Sequence, residues 1–154
     1  MGKITFRPVE PDESGLLNEM TLAGIRHWGH HENFPDAYNG LANDLESHDI
    51  GKSHVYVVED DGDVVGFYEI IDRGDHVELL RMFQTVDRIG TGLGRLMWDH
   101  AVVEAARVGD RMMLISDPMA TGFYEKMGAK RERSFEPVPG FELGVYRFDL
   151  PSTS

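Results

Sequence analysis

At 154 residues and 17.4 kDa, with 41% hydrophobic residues, the chain is long enough for one ordinary globular core and short for two. A formal charge of −12 and a pI near 4.9 disfavour nucleic-acid binding, which draws its affinity from clustered Lys and Arg; Lys130, Arg131 and Arg133 are sparse local basic spots. The absence of cysteine excludes a disulfide framework, a thiolate nucleophile and a zinc–thiolate site.

In chain order, Ile4 to Val9 alternates apolar and polar residues and predicts a short strand. Pro11, Asp12 and Glu13 mark a helix start with acids in its first turn, leading into the face formed by Leu16, Leu17, Met20, Ile25 and Trp28. A second helical pattern follows HWGHHENFPDAY, through Tyr38, Leu41 and Leu45, and Asp49 to Ser53 reads as a loop. From His54 the period becomes strand-like. VYVVE, the acidic turn EDDGD and VVGFYEII predict a hairpin, and after Arg73, Gly74 and Asp75 the run HVELLRMFQ returns as a further strand.

That strand hands over to MFQTVDRIGTGLGR, Met82 to Arg95, where Gly90, Gly92 and Gly94 alternate before a helical pattern over Arg95 to Ala106. Unpaired amides and the positive end of the helix dipole suit a phosphate there. Met112 to Ser116 is a short strand, which completes a βαβ unit with parallel pairing. Asp117 and Pro118 open a last helix, stopped by Gly128, and RERSFE with LGVYRFDL closes the chain as a hairpin. One domain over residues 1–150 is expected, with a frayed tail over 151–154. The N-terminus lacks the apolar core of a signal peptide, and no apolar run approaches the ~20 residues of a membrane span, so a cytoplasmic protein without a membrane partner is expected.

The glycine spacing G-x-G-x-G excludes two familiar nucleotide cradles. A dinucleotide fold needs G-x-G-x-x-G at the start of a βαβ unit, and a P-loop needs Lys followed by Ser or Thr where Arg95 and Leu96 stand. The run MFQTVDRIGTGLGRLMW, the late helix DPMATGFYEKMGA and the order strand, two helices, meander, βαβ, hairpin resemble the GNAT superfamily of N-acetyltransferases. RHWGHH and ISDPMA resemble small bacterial-type members of it. The resemblance implies an α+β fold: a mixed, mostly antiparallel sheet of about seven strands, about four flanking helices, and a parallel βαβ unit at the cofactor site.

The resemblance further implies acetyl-CoA as cosubstrate and transfer of its acetyl group to a primary amine of a small molecule by direct attack. The family signature falls on Ile89, Gly92 and Gly94; its first position, Gln or Arg in the family, is unmatched, and Arg88 lies one residue early. By analogy, Ile89, Gly90, Thr91, Gly92, Leu93, Gly94 and Arg95 would form the pyrophosphate loop. The strand edge at Met82, Phe83 and Gln84 would pair with pantetheine, and Asp117 stands where many members carry an asparagine, although a helix cap also accounts for it.

Glu78 matches the position of the family's glutamate base, and plain alternation puts it on the same strand face as Met82. A solvated strand carboxylate or a salt bridge with Arg81 is its bland reading, and His76, at the same parity, is the second candidate base. Tyr124 matches the family's late-helix tyrosine, the general acid toward the thiolate. Arg26 to Tyr38 would wall the acceptor side, with Trp28, His30, Phe34 and Tyr38 as candidate substrate contacts. The cluster His27, His30 and His31 reads as a solvated loop or as part of that wall, and no metal is expected. A homodimer is common among such folds. The alternative from another class is a non-catalytic acyl-CoA-binding or regulatory module.

Overall fold

The computed structural model describes residues 2–28, 53–116, 120–139 and 141–152. Seven strands form one sheet: β1 (Ile4–Pro8), β2 (Ser53–Asp60), β3 (Asp63–Asp72), β4 (Val77–Gln84), β5 (Arg111–Ser116), β6 (Lys130–Val138) and β7 (Phe141–Asp149). Their order is β1-β2-β3-β4-β5-β7-β6, antiparallel throughout except for the β4–β5 pair. Three α-helices lie among the described residues: α1 (Ser14–Trp28), α2 (Leu93–Ala106) and α3 (Thr121–Lys126). The expected helix through Tyr38, Leu41 and Leu45 lies outside them. No helix among the described residues is long and apolar enough to cross a membrane.

Local chemistry sets each turn of the meander. Asp61 and Gly62 both take positive φ, 50° and 91°, the backbone that a two-residue hairpin between right-twisted strands requires. The helices cover opposite faces of the sheet. Tyr68, Ile70, Leu79 and Leu114 pack beneath Trp98, Ala101 and Ala105 of α2, while Val57 and Phe67 pack against Leu17 and Met20 of α1. Burying the Val, Leu, Ile, Phe and Met side chains among these contributes roughly 1.5–3 kcal/mol each, so this three-layer core fixes the sheet between α1 and α2.

Strand boundaries moved where tertiary pairing overrode local signals. Ser53, expected in a loop, opens β2, and β6 runs on through Pro137 to Val138 as an edge strand with two register shifts. The last helix begins at Thr121, with Ala120 as its N-cap and no side-chain cap; Asp117 and Pro118 lie outside the described residues.

Candidate active site

β4 pairs with β3 to its end at Gln84, but it pairs with β5 only where Val77–Leu79 lie beside Met112–Leu114. Beyond that point the two parallel strands separate. Among the described residues, β4 from Leu80 onward has no strand partner on its β5 side. The gap is a cleft through the sheet. On the α1 side it is lined by Thr21, Ile25, Arg81 and Ser116; on the α2 side by Gly90, Gly92, Arg95 and Lys126. Met82, Gln84, Ile89, Ala120 and Tyr124 line both sides, so the two openings meet at those residues.

The α2 opening is a cradle built by backbone. After the 3-10 turn Val86–Arg88, Gly90 and Gly92 take φ of 85° and 94°, and Gly92 is the left-handed N-cap of α2. A Cβ at either glycine would meet nothing within 4 Å. The backbone therefore requires glycine there, and the space above it is open. Gly92 has no side chain with which to cap the first turn of α2, so its amides and the helix dipole face the opening as an anion site, with Arg95 and Lys126 at its rim. Leu93 contributes backbone alone, because its side chain is buried with Val58, Val65 and Met97. Thr91 is held in the turn by its hydroxyl, which donates to the Arg88 carbonyl at 2.6 Å. Arg88, one residue before the signature's first position, is committed elsewhere: it forms an ion pair with the buried Asp60, which also accepts the Gly2 amide at 2.8 Å.

Tyr124 stands at the junction, half-buried, its ring 5.8 Å from Trp98 and 5.3 Å from Phe123. The Phe123 ring lies 3.4 Å from where a Cβ on Gly94 would stand, which seats α3 on the start of α2. Gln84 closes the floor. Its Oε1 is buried and makes no hydrogen bond, so the cleft holds an acceptor in want of a donor. Phe83 points the other way, stacks on Phe67 with centroids 6.2 Å apart, and belongs to the α1 core.

Glu78 does not share a face with Met82. The register slips at Leu80, which has no partner on β3: Glu69 lies beside Arg81 and Ile70 beside Leu79. One extra residue inverts the alternation beyond it. Met82 therefore faces α2, whereas Glu78, Arg81 and Phe83 face α1. Nor do Glu78 and Arg81 pair with each other, the alternative role for Glu78. Glu78 accepts from Arg73 Nε at 2.8 Å, and Arg81 is buried against Glu69 at 2.8 Å with the Ser53 hydroxyl donating to the second Glu69 oxygen at 2.5 Å. Glu78 and His76 line a separate cavity that adjoins the α1-side opening at Ile115. His76 Nδ1 lies 2.6 Å from Asp75, whose carboxyl is held below its ordinary range mainly by that hydrogen bond. The structure thus brings Tyr124, the glycine loop and β4's end together and sets both candidate bases one cavity away.

Sequence reasoning missed the Glu69–Arg81 pair. Buried opposite charges on neighbouring strands leave no periodic trace, and only the bulge brings them face to face. His30, Phe34 and Tyr38 lie outside the described residues, as does Asp117; Trp28 is described as the last residue of α1.

The sequence profile of the acetyltransferase (GNAT) domain matches residues 51–128. No curated protein matches the chain in sequence. Among solved structures, the chain is similar to a GCN5-related N-acetyltransferase from Rhodopseudomonas palustris, at 19% identity and a TM-score of 0.80 over 97% of this chain and 98% of that one. It is similar to the ribosomal-protein-S18-alanine N-acetyltransferase of Escherichia coli, at 14% identity and a TM-score of 0.73 over 99% and 96%. It also resembles the PaiA N-acetyltransferase of Thermoplasma acidophilum, solved with coenzyme A, at 15% identity and a TM-score of 0.71 over 96% and 99%.

Proposed function

The chain belongs to the GNAT acetyltransferase family, and from that premise we propose that it moves the acetyl group of acetyl-CoA to a primary amine of a small molecule. The observation that carries this reading is the cleft between β4 and β5. It opens on one side to a glycine cradle at a helix N-terminus and on the other to a pocket beside α1, with Tyr124 where they meet.

The residues suit the cosubstrate. Open space over Gly90 and Gly92 fits a pyrophosphate, Arg95 and Lys126 add two cations to a chain that is otherwise acidic, and the orphaned Gln84 Oε1 can accept from an amide N–H of pantetheine. Acetyl-CoA supplies the acetyl group activated as a thioester. Around it, the amides of Gly92 to Arg95 hold the phosphates, and the backbone of Met82, Phe83 and Gln84 pairs with the pantetheine arm as an added strand. Ile89 fills the apolar side of the junction. The Tyr124 hydroxyl gives its proton to the departing thiolate. Glu78, on the α1 face and held by Arg73, takes the amine's proton. The acceptor enters from the α1 side, with Trp28, His30, Phe34 and Tyr38 as its aromatic and imidazole contacts.

The test is release of CoA thiol from acetyl-CoA across a panel of amines. Amine-dependent release is expected. Tight acetyl-CoA binding with no amine-dependent release would overturn the enzyme reading and leave the non-catalytic acyl-CoA-binding module.

A further inference from the structure

We propose that Tyr146 is a positioning residue for Tyr124, acting through Glu125; the inference rests on Tyr124 being the proton donor. α3, which carries Tyr124, is six residues long and buries none of them fully. A helix that short has little stability of its own, so its placement comes from what it is tied to. On its C-terminal side the backbone closes well: the amide of Ala129 donates to the Tyr124 carbonyl at 3.0 Å, and the amide of Gly128 to the Glu125 carbonyl at 3.0 Å. These bonds shape the helix end, and Phe123, Tyr124 and Met127 pack on the core beneath it.

A polar tie to the sheet adds direction to that packing. The Tyr146 hydroxyl donates to Glu125 Oε1 at 2.9 Å. Tyr146 itself is fully buried, at 0% exposure, and sits on β7 beside Leu114 of β5 and Arg131 of β6. Its oxygen in turn accepts from Arg131 Nε at 3.2 Å and Nη2 at 3.1 Å. The guanidinium stands 5.4 Å from the ring centroid, and Gly144 leaves the room, because a Cβ there would come within 2.7 Å of the Tyr146 ring and 3.2 Å of Arg131. A cation donating to the phenol oxygen polarises the O–H, which strengthens its bond to the Glu125 carboxylate.

The strand that holds Tyr146 is neighbour to β5, whose end at Ile115 and Ser116 forms the far wall of the cleft. Glu125 is adjacent to Tyr124 in the chain. The Arg131–Tyr146–Glu125 chain thus sets where Tyr124 stands relative to that wall, and a small error in the position of a proton donor is costly in rate.

The experiment uses the full chain with 3-fluorotyrosine at position 124, read by fluorine NMR without cosubstrate, together with kcat and the acetyl-CoA dissociation constant. Tyr146→Phe and Glu125→Ala should each move or broaden the fluorine resonance and lower kcat by about tenfold or more, with acetyl-CoA affinity within about twofold of wild type. Glu125→Gln, whose amide oxygen still accepts, should restore both. The double variant should be no worse than either single one, since both remove the same bond. A wild-type resonance and rate in Tyr146→Phe, or additive losses in the double variant, would overturn the proposal. If Tyr146→Phe fails to fold, Glu125→Ala, on the exposed side of α3, carries the same test. A wild-type rate in Tyr124→Phe sinks the proton-donor reading instead, and the fluorine resonance then decides the mount alone.

Discussion

Replacing Gly92 with alanine separates backbone demand from space in the cradle. The residue caps α2 at a φ of 94°, and a Cβ there meets nothing within 4 Å, so the whole penalty is conformational. An L-residue held in the left-handed region costs about 1–2 kcal/mol. That cost has two places to go. If the loop keeps its shape, folding bears it: at about 2.1 cal/mol/K per residue the 154-residue chain has an unfolding entropy of about 0.32 kcal/mol/K, so Tm falls by about 3–6 °C. If the loop relaxes instead, binding bears it, and acetyl-CoA affinity falls by about 5–30-fold. Calorimetric titration and thermal unfolding of the same variant should therefore show losses that together make up about 1–2 kcal/mol. Gly94→Ala is the control. Gly94 lies in the helix with ordinary φ, and its Cβ would touch Phe123 at 3.4 Å, so affinity should stay within about twofold and stability should hold or rise by up to about 1 kcal/mol. Unchanged affinity and unchanged Tm in Gly92→Ala, or equal losses in the two variants, would refute the cradle argument.

Tyr124→Phe should lower kcat by about 100-fold or more while acetyl-CoA affinity stays near wild type, because the ring packing on Trp98 survives and only the proton donor is lost. Arg88→Met should destabilise the fold by about 1–3 kcal/mol, leaving buried Asp60 with the Gly2 amide alone, yet should barely change acetyl-CoA affinity, as measured by chemical denaturation and titration. Stability should also fall with acid. His100 stacks on Phe6 at 4.0 Å and lies 2.6 Å from the Tyr68 hydroxyl, and burial holds its pKa below the ordinary 6.5 against the pull of Glu104. The unfolded chain then binds a proton that the native state refuses. Stability is complete above pH 6.5 and declines as pH falls from there through the lower native value. His100→Gln should flatten that part of a Tm-against-pH curve.

The meander, the βαβ unit and the closing hairpin were legible because each announces itself locally, through alternation, an acidic glycine turn or a helical period. The glycine loop was legible as well, since positive φ at Gly90 and Gly92 is written directly in residue type. The face of Glu78 was not. Leu79 and Leu80 are equally good strand residues, and nothing in them reveals that one is the extra residue; only pairing with Glu69 and Ile70 decides it. The point where β4 and β5 part was hidden for the same reason: strand identity is local, but the length of a ladder depends on two chains of residues far apart in sequence. The Tyr146–Glu125 bond spans 21 residues and joins two elements that patterning treats separately.

The most direct test of the whole account is transfer of isotope-labelled acetyl from acetyl-CoA to an amine, followed by mass spectrometry of the acceptor alongside CoA release. Labelled N-acetyl product is expected in equal amount to the CoA released, with both lost in Tyr124→Phe. CoA release that yields only labelled acetate, or no release with any amine despite bound acetyl-CoA, would contradict it.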